Sequence, residues 1–220
     1  MGAITRAAAN NFTTGGIIQP AAINDTSVAS LTELENVAAG GAMTLISEQT
    51  ASASASISFT SGIDSTYPIY RFEFINIRPA TNTANFTFQA DTGTNTNYNQ
   101  TITSTNFQVY HNEAGSGTGF DYLASYDQAQ GTAFQDLAVY IGNGADECVS
   151  GTLQVFNPSS TTFVKHFIAR INSYNANDFT SDYYIAGYFN TTTAITRVQF
   201  KMSSGNIGDG TIKLYGISGS

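Results

Sequence analysis

The sequence predicts an all-β protein, an antiparallel jelly-roll-like β-sandwich preceded by an extended N-terminal arm. Threonine, serine and asparagine number 29, 21 and 19 and make up nearly a third of the 220 residues, whereas charged residues make up only 11%. Threonine, with 15 Phe and 12 Tyr, favours strands, and asparagine, serine and 20 Gly favour turns. No long amphipathic helix can be drawn after residue 55, where apolar and polar residues instead alternate.

Residues 1–54 differ from the rest of the chain and predict an arm used for assembly or attachment. The segment has glycine pairs at 15–16 and 40–41 and a single aromatic residue, Phe12. Its apolar side chains are too numerous for a solvated tail, so we expect it to order against another subunit. The alternative is an N-terminal β-element packed on its own domain. The arm residues expected to make contacts are Ile17, Ile18, Ile23, Leu31, Leu34 and Ile46.

The sandwich domain is predicted to span residues 55–220. Its strand candidates alternate polar and apolar side chains with a period of two, as a strand with one buried face requires, and turn-rich segments separate them. No repeat of fixed period is present, which argues against propellers and solenoids. The predicted strands are 56–60, 67–77, 85–90, 101–110, 132–141, 151–156, 162–174, 182–190, 194–202 and 211–217.

Alternation within these strands also predicts which side chains are buried. In the segment 162–174, Val164 and His166 share one side and Lys165 the other, so His166 is expected to be a core or cross-strand residue. The phenylalanines expected in the core are Phe72, Phe74, Phe163, Phe167 and Phe200.

Charge and cysteine content exclude several classes of function. The formal charge of -8, from 8 Lys and Arg against 16 Asp and Glu, repels phosphate backbones, so no nucleic-acid partner is expected. The single cysteine, Cys148, cannot form an intramolecular disulfide. The chain has no apolar stretch of about 18 residues, and residues 1–16 do not resemble a signal peptide. We therefore expect no membrane partner and synthesis in a cytoplasm.

Four segments carry a resemblance to a known family: 58–64 (SFTSGID), 157–166 (NPSSTTFVKH), 199–207 (QFKMSSGNI) and 210–216 (GTIKLYG). They resemble a family of short virion proteins from marine and cyanobacterial tailed phages, and the resemblance covers about residues 55–217. Members are described as structural or tail-fibre-like, so the resemblance implies a virion protein with a β-sandwich. It implies no functional residue, because no motif defines one.

No constellation of residues predicts catalysis, a cofactor or a metal. The only histidines are His111 and His166, and no nucleophile signature lies near His111. Most carboxylates between residues 121 and 182 lie next to Gly, Asn or Ser in loop sequence, where Asp commonly caps turns. Two segments, 91–95 and 143–147, could offer oxygen ligands to calcium, but neither matches the usual calcium loop. We therefore expect a non-enzymatic protein.

Clusters of tyrosine are the candidate contacts for a glycan. Tyr122 and Tyr126 flank Leu123, and Tyr183 is adjacent to Tyr184. Tyrosine rings stack on carbohydrate, and Asn and Thr supply neutral hydrogen bonds. The alternative for each tyrosine is a structural role, because a protein without tryptophan must build its core and subunit contacts from Phe and Tyr.

These features predict a non-enzymatic structural protein of a phage virion surface, synthesised in the host cytoplasm. We expect a capsid decoration or cement protein anchored through its N-terminal arm, because the chain lacks the heptads, Gly-X-Y triplets or repeated β-motifs of a fibre shaft. The alternative is a short tail-fibre or receptor-binding module that recognises host surface glycans. The expected partners are its own copies in a homotrimer and the major capsid protein or tail proteins, with the three-fold symmetry implied by the resemblance alone.

Overall fold

The computed structural model describes residues 42–218, which form thirteen β-strands and no helix. Within this range no helix is therefore long and apolar enough to span a membrane. The strands are β1 (Met43–Thr50), β2 (Ile57–Phe59), β3 (Ile69–Pro79), β4 (Ala84–Thr92), β5 (Ile102–Asn112), β6 (Thr118–Tyr122), β7 (Ala129–Gly131), β8 (Gln135–Ile141), β9 (Val149–Phe156), β10 (Lys165–Tyr174), β11 (Phe179–Phe189), β12 (Ile195–Met202) and β13 (Ile207–Ile217).

The strands form two antiparallel sheets of unequal size, so the predicted antiparallel β-sandwich is confirmed. The larger sheet has nine strands in the order β1-β13-β3-β9-β10-β11-β5-β6, with β7 also paired to β5. The smaller sheet has four strands in the order β2-β12-β4-β8. Strand β10 is alternately buried and exposed along its length, which is typical of a sheet with one face on the core and one face outward.

Phenylalanine dominates the core between the sheets. Phe200 on β12 lies at its centre, with its ring centroid 5.1 Å from that of Phe72 and 5.2 Å from that of Phe74, both on β3. Its ring also stacks on Phe86 at 5.8 Å. Aromatic pairs of this kind add about 0.5–1.5 kcal/mol beyond the burial of their area. The predictions for Phe72, Phe74, Phe167 and Phe200 are confirmed, because each is at most 2% exposed.

The prediction that Phe163 is buried is wrong. Strand β10 begins at Lys165, so Phe163 lies in the preceding loop, where alternation does not apply, and is 69% exposed. Lys165 takes the inward position and is fully buried. Its Nζ donates hydrogen bonds to the carbonyl oxygens of Phe163 and Thr191, at 2.8 and 3.0 Å. Burial lowers the pKa of Lys165, and the two carbonyls offset part of the cost of burying its ammonium group.

The sandwich begins well before residue 55. Strand β1 pairs with β13 from Met43, opposite Ile217, to Thr50, opposite Thr211, and forms an outer strand of the larger sheet. Ile46, predicted to be an arm residue, packs against the core cluster of its own domain. Residues 43–50 therefore follow the alternative of a β-element packed on its own domain. The remaining predicted arm residues lie outside the described residues: Ile17, Ile18, Ile23, Leu31 and Leu34.

Candidate functional site

Loops cover the outer face of β4 in the smaller sheet and satisfy its polar side chains. Gln89 on β4 is fully buried, and its Nε2 donates to the carbonyl oxygens of Gln100 and Ala133 at 3.0 and 2.9 Å. The buried carboxylate of Asp91 accepts a hydrogen bond from the backbone N–H of Tyr98 at 2.8 Å. Buried polar groups with such partners stabilise a fold, so the outer face is closed over β4 rather than available to a ligand.

The outer face of the larger sheet is open over β10, β11, β5 and β6. Large side chains are exposed there, including Val109 at 44%, Phe120 at 65% and Ile168 at 53%. Exposed apolar patches of this kind mark surfaces that bind a partner or ligand. We call this surface the aromatic face. It consists of Phe107, Val109, Phe120, Tyr122, Ile168 and Tyr184.

A row of stacked side chains crosses the strands of the aromatic face. Tyr184 on β11 and Phe107 on β5 are cross-strand neighbours whose rings lie 5.0 Å apart and 5° from parallel. The ring of Phe120 on β6 follows, 5.3 Å from that of Phe107. At the other end, the guanidinium of Arg170 lies 5.1 Å from the ring centroid of Tyr184. Since Tyr184 and Phe107 cover each other, Phe120 supplies the exposed ring surface of the row.

A carboxylate neutralises the cation at the end of this row. Arg170 donates from Nη2 and Nε to Oδ2 of Asp182, at 2.7 and 3.2 Å. The hydroxyl of Tyr184 donates to the same oxygen at 3.1 Å. Asp182 raises the pKa of Arg170 above its usual value, because the ion pair favours the charged guanidinium. The charges of this pair cancel, so this part of the face attracts neither anions nor cations strongly.

A cleft of about 490 Å³ opens beside the row, over β10, β11, β5 and β6. We call it the outer cleft. Its floor carries Asn172, Asp182 and Val109, which lie opposite one another on three neighbouring strands. Asn172 Nδ2 donates to Thr180 Oγ1 at 3.0 Å, and His111 lines one wall. An amide, a carboxylate and a hydroxyl beside apolar side chains are groups typical of a small-molecule site.

The structure separates the four tyrosines predicted to contact a glycan. Tyr122 and Tyr184 both lie on the aromatic face. Tyr183 is 1% exposed and donates its hydroxyl to the carbonyl oxygen of Val139 at 3.1 Å, so it is not available to a surface ligand. Neighbouring residues of a strand point to opposite faces, which is why Tyr183 and Tyr184 diverge. Tyr126 packs against the core cluster and away from the row.

The other residues of the aromatic face are not among the predicted glycan contacts. Phe107 and Val109 lie in a predicted strand, and their spacing of two residues was a signal that both share one face. Phe120 had no such signal, because the glycine-rich residues 115–119 predicted a turn. Strand β6, which carries Phe120, is an outer strand with little burial, so its side chains do not alternate between apolar and polar.

Titratable side chains do not assemble into a metal centre in the described residues. No group of three or more His, Cys, Asp or Glu in residues 42–218 could hold a metal ion. His166 is exposed and lies opposite Tyr188, with their rings 6.0 Å apart, so the cross-strand interpretation is right and the core interpretation is wrong. In the segments considered for calcium, Asp91 caps its own loop and the Glu147 carboxylate accepts the backbone N–H of Gly144.

Asp136 on β8 is a largely buried carboxyl group away from the aromatic face. Desolvation raises its pKa to about 6, although a hydrogen bond from Asn85 Nδ2 at 2.9 Å opposes the shift. The same Asn85 side chain accepts the backbone N–H of Tyr140 at 3.1 Å. Asp136 therefore binds a proton in mildly acidic solution more readily than an exposed aspartate does.

Comparison with known proteins assigns no family to the chain. No protein-family model, no curated protein and no solved structure matches it.

Proposed function

We propose that the chain is a non-enzymatic structural protein of a tailed-phage virion surface, where it acts as a capsid decoration or cement protein attached through its N-terminal segment. The observation that carries this proposal is the position of β1 as an outer strand of the larger sheet. Strand β1 thus begins at an edge of the larger sheet, where pairing with a neighbouring molecule does not require the core to be opened. The resemblance of residues 55–217 to phage virion proteins supports the same role.

Apolar side chains of the N-terminal segment supply the free energy of attachment. Each fully buried Ile or Leu contributes roughly 1.5–3 kcal/mol, whereas ordering the backbone costs about 1–2 kcal/mol per residue. Attachment therefore also needs backbone hydrogen bonds, such as those formed when a strand is added to a neighbouring sheet. The residues proposed for these contacts are Ile17, Ile18, Ile23, Leu31 and Leu34.

Deleting residues 1–41 while keeping β1 tests this attachment. We expect a folded sandwich with a cooperative unfolding transition that no longer binds to particles lacking the protein. The full-length Ile75→Ser variant is the control, since Ile75 is exposed on β3, and it should attach as the unmodified chain does. Full occupancy by the deletion protein would show that the segment is not the anchor. Absence of the chain from purified particles, measured by mass spectrometry, would overturn the virion role.

We further propose that the protein assembles as a homotrimer. Met43 and Leu45 on the outer strand β1 are 41% and 50% exposed and offer apolar contacts to a neighbouring copy. The low content of charged residues, 11%, suits permanent interfaces, whose cores are depleted of charge. Three-fold symmetry rests on the family resemblance. Sedimentation of the full-length chain at micromolar concentration should give a species of three chains, and a monomer would contradict the proposal.

The aromatic face favours a second candidate function, recognition of a host surface glycan by a short tail-fibre or receptor-binding module. Phe120 and Tyr122 are 65% and 55% exposed at the edge of the sheet, where a ligand can reach them. An electron cryomicroscopy map of an intact particle distinguishes the two candidates. Density for this chain on the head lattice would support decoration, and density on the tail would support receptor binding.

A further inference from the structure

We propose that the outer cleft, together with the adjoining Phe120 of the aromatic face, binds a neutral glycan and that Asn172, Asp182 and Phe120 recognise its sugar rings. The inference rests on the second candidate function and deepens it by naming the site and the class of ligand.

The floor of the outer cleft offers paired hydrogen-bonding groups to adjacent sugar hydroxyls. Asn172 and Asp182 lie directly opposite each other on β10 and β11, where facing Cβ atoms are about 4.5–5.5 Å apart. A carboxylate accepts hydrogen bonds from hydroxyls, and so does the amide oxygen Oδ1 of Asn172. The Asp182 side chain is 24% exposed, so a ligand can reach it.

Contacts within the protein hold these polar groups in place before a ligand arrives. Arg170 and the Tyr184 hydroxyl donate to the Asp182 carboxylate, as described above. Asn172 Nδ2 donates to Thr180 Oγ1 at 3.0 Å and to the carbonyl oxygen of Ser181 at 3.3 Å. Side chains that are already ordered lose less conformational entropy on binding, so a weakly binding ligand such as a sugar gains affinity.

Val109 and Phe120 supply the apolar half of the site. They lie opposite each other on β5 and β6 and are 44% and 65% exposed. The C–H bonds of a sugar ring carry slight positive charge and pack against the negative face of an aromatic ring. Together with Asn172 and Asp182 these residues form one line across four strands, about 14 Å long at about 4.8 Å per strand. The line fits a short oligosaccharide better than a single sugar.

Charge favours a neutral glycan over other occupants of the aromatic face. The net charge of -8 repels nucleic acids and acidic polysaccharides. Asp182 is already neutralised by Arg170, so the outer cleft has no unpaired carboxylate on its floor to attract a cation. A ligand without charge is not repelled by the net negative charge and does not need an unpaired carboxylate, and its hydroxyl groups can bond to the polar side chains of the outer cleft.

Titration of the full-length protein with neutral hexasaccharides tests the proposal. The probes are maltohexaose, cellohexaose, mannohexaose and laminarihexaose, followed by isothermal calorimetry and ligand-observed NMR. We expect at least one to bind, and we expect Phe120→Ser and Asn172→Ala each to weaken that binding about tenfold. The matched control is Ile75→Ser, an exposed apolar residue of the same sheet outside the aromatic face, which should bind as the unmodified protein does. Thermal unfolding of each variant establishes that it is folded.

Failure of all four probes to bind, or binding unaffected by both Phe120→Ser and Asn172→Ala, would overturn the proposal. A loss of self-association in Phe120→Ser, measured by sedimentation, would assign the aromatic face to a second copy and would also overturn it. These outcomes are separate from those of the virion role, because glycan binding is measured on purified protein and the virion role on the composition of particles.

Discussion

The outer faces of the two sheets reverse the usual distribution of polar and apolar side chains. On the smaller sheet Thr87, Gln89 and Asp91 are buried, whereas on the larger sheet Val109 and Phe120 are exposed. Buried polar groups and exposed apolar patches are the informative exceptions to the hydrophobic pattern. The first face is stable because each polar group has a hydrogen-bond partner. The second face exposes apolar area to water, so a partner gains free energy by covering it.

The largest expected effect is in the core that separates these two faces. Phe200→Ala should lower the free energy of unfolding by about 3–5 kcal/mol, because it removes the ring at the centre of the aromatic cluster and leaves a cavity. Urea denaturation measures the change. The control Phe163→Ala, at a position 69% exposed, should stay within about 0.5 kcal/mol. Similar effects at both positions would contradict the arrangement of the core.

Removing the hydrogen bonds of the covered face should have the next largest effect. Gln89→Ala leaves the loop carbonyls of Gln100 and Ala133 without their donor, and we expect a loss of about 2–3 kcal/mol in the free energy of unfolding. Gln154→Ala, at a half-buried outward position on β9, is the control and should change stability little. A loss below about 1 kcal/mol at Gln89 would mean that the loops cover this face without depending on these bonds.

Asp136 makes the stability of the smaller sheet depend on pH. Its folded-state pKa of about 6 exceeds the ordinary value, so the folded protein holds the proton more tightly than the unfolded chain does. The free energy of unfolding should therefore decrease by about 2 kcal/mol as pH rises from about 4 to about 6, and this contribution should stay constant above that. Asp136→Asn should abolish this step.

Urea denaturation of the unmodified protein and of Asp136→Asn, between about pH 4 and about pH 6, measures this step. Asp121→Asn, at an exposed position on β6, is the matched control and should retain the step. A pH dependence that is identical in Asp136→Asn and the unmodified protein would contradict the raised pKa of Asp136.

The smallest expected effect is on the stability of the open face. Ile168→Ser, at a position 53% exposed on β10, should change the free energy of unfolding by less than about 0.5 kcal/mol. Ile171→Ser on the same strand should be severely destabilising, because Ile171 is fully buried on the opposite face. Thermal and urea unfolding measure both. A large loss for Ile168→Ser would mean that this face is covered in solution, and the contrast between the two faces would no longer hold.

Strands and buried positions were predicted correctly where polar and apolar side chains alternate without interruption, and incorrectly where the alternation is broken. Strand β3 and most of β10 were predicted because successive side chains alternate between core and outside. Strand β1 was predicted only as the alternative to an arm, because a bulge between Leu45 and Ser47 interrupts the period of two. Phe163 was misplaced because it precedes the first residue of β10. At the candidate site, the adjacent tyrosines in the sequence predicted Tyr184 as a glycan contact. The residues stacked beside it could be identified only from the pairing of the strands in the structure.

The sequence by itself determined the class of fold, because strand propensity and alternation are properties of neighbouring residues. It also determined the net charge of -8, which disfavours acidic partners wherever the side chains lie. Only the tertiary structure decided that Phe107, Phe120, Arg170 and Tyr184 form one row, because cross-strand register joins residues that are distant along the chain. Loop packing likewise decided which sheet face is closed, since burial of Gln89 depends on loop carbonyls that no local pattern specifies.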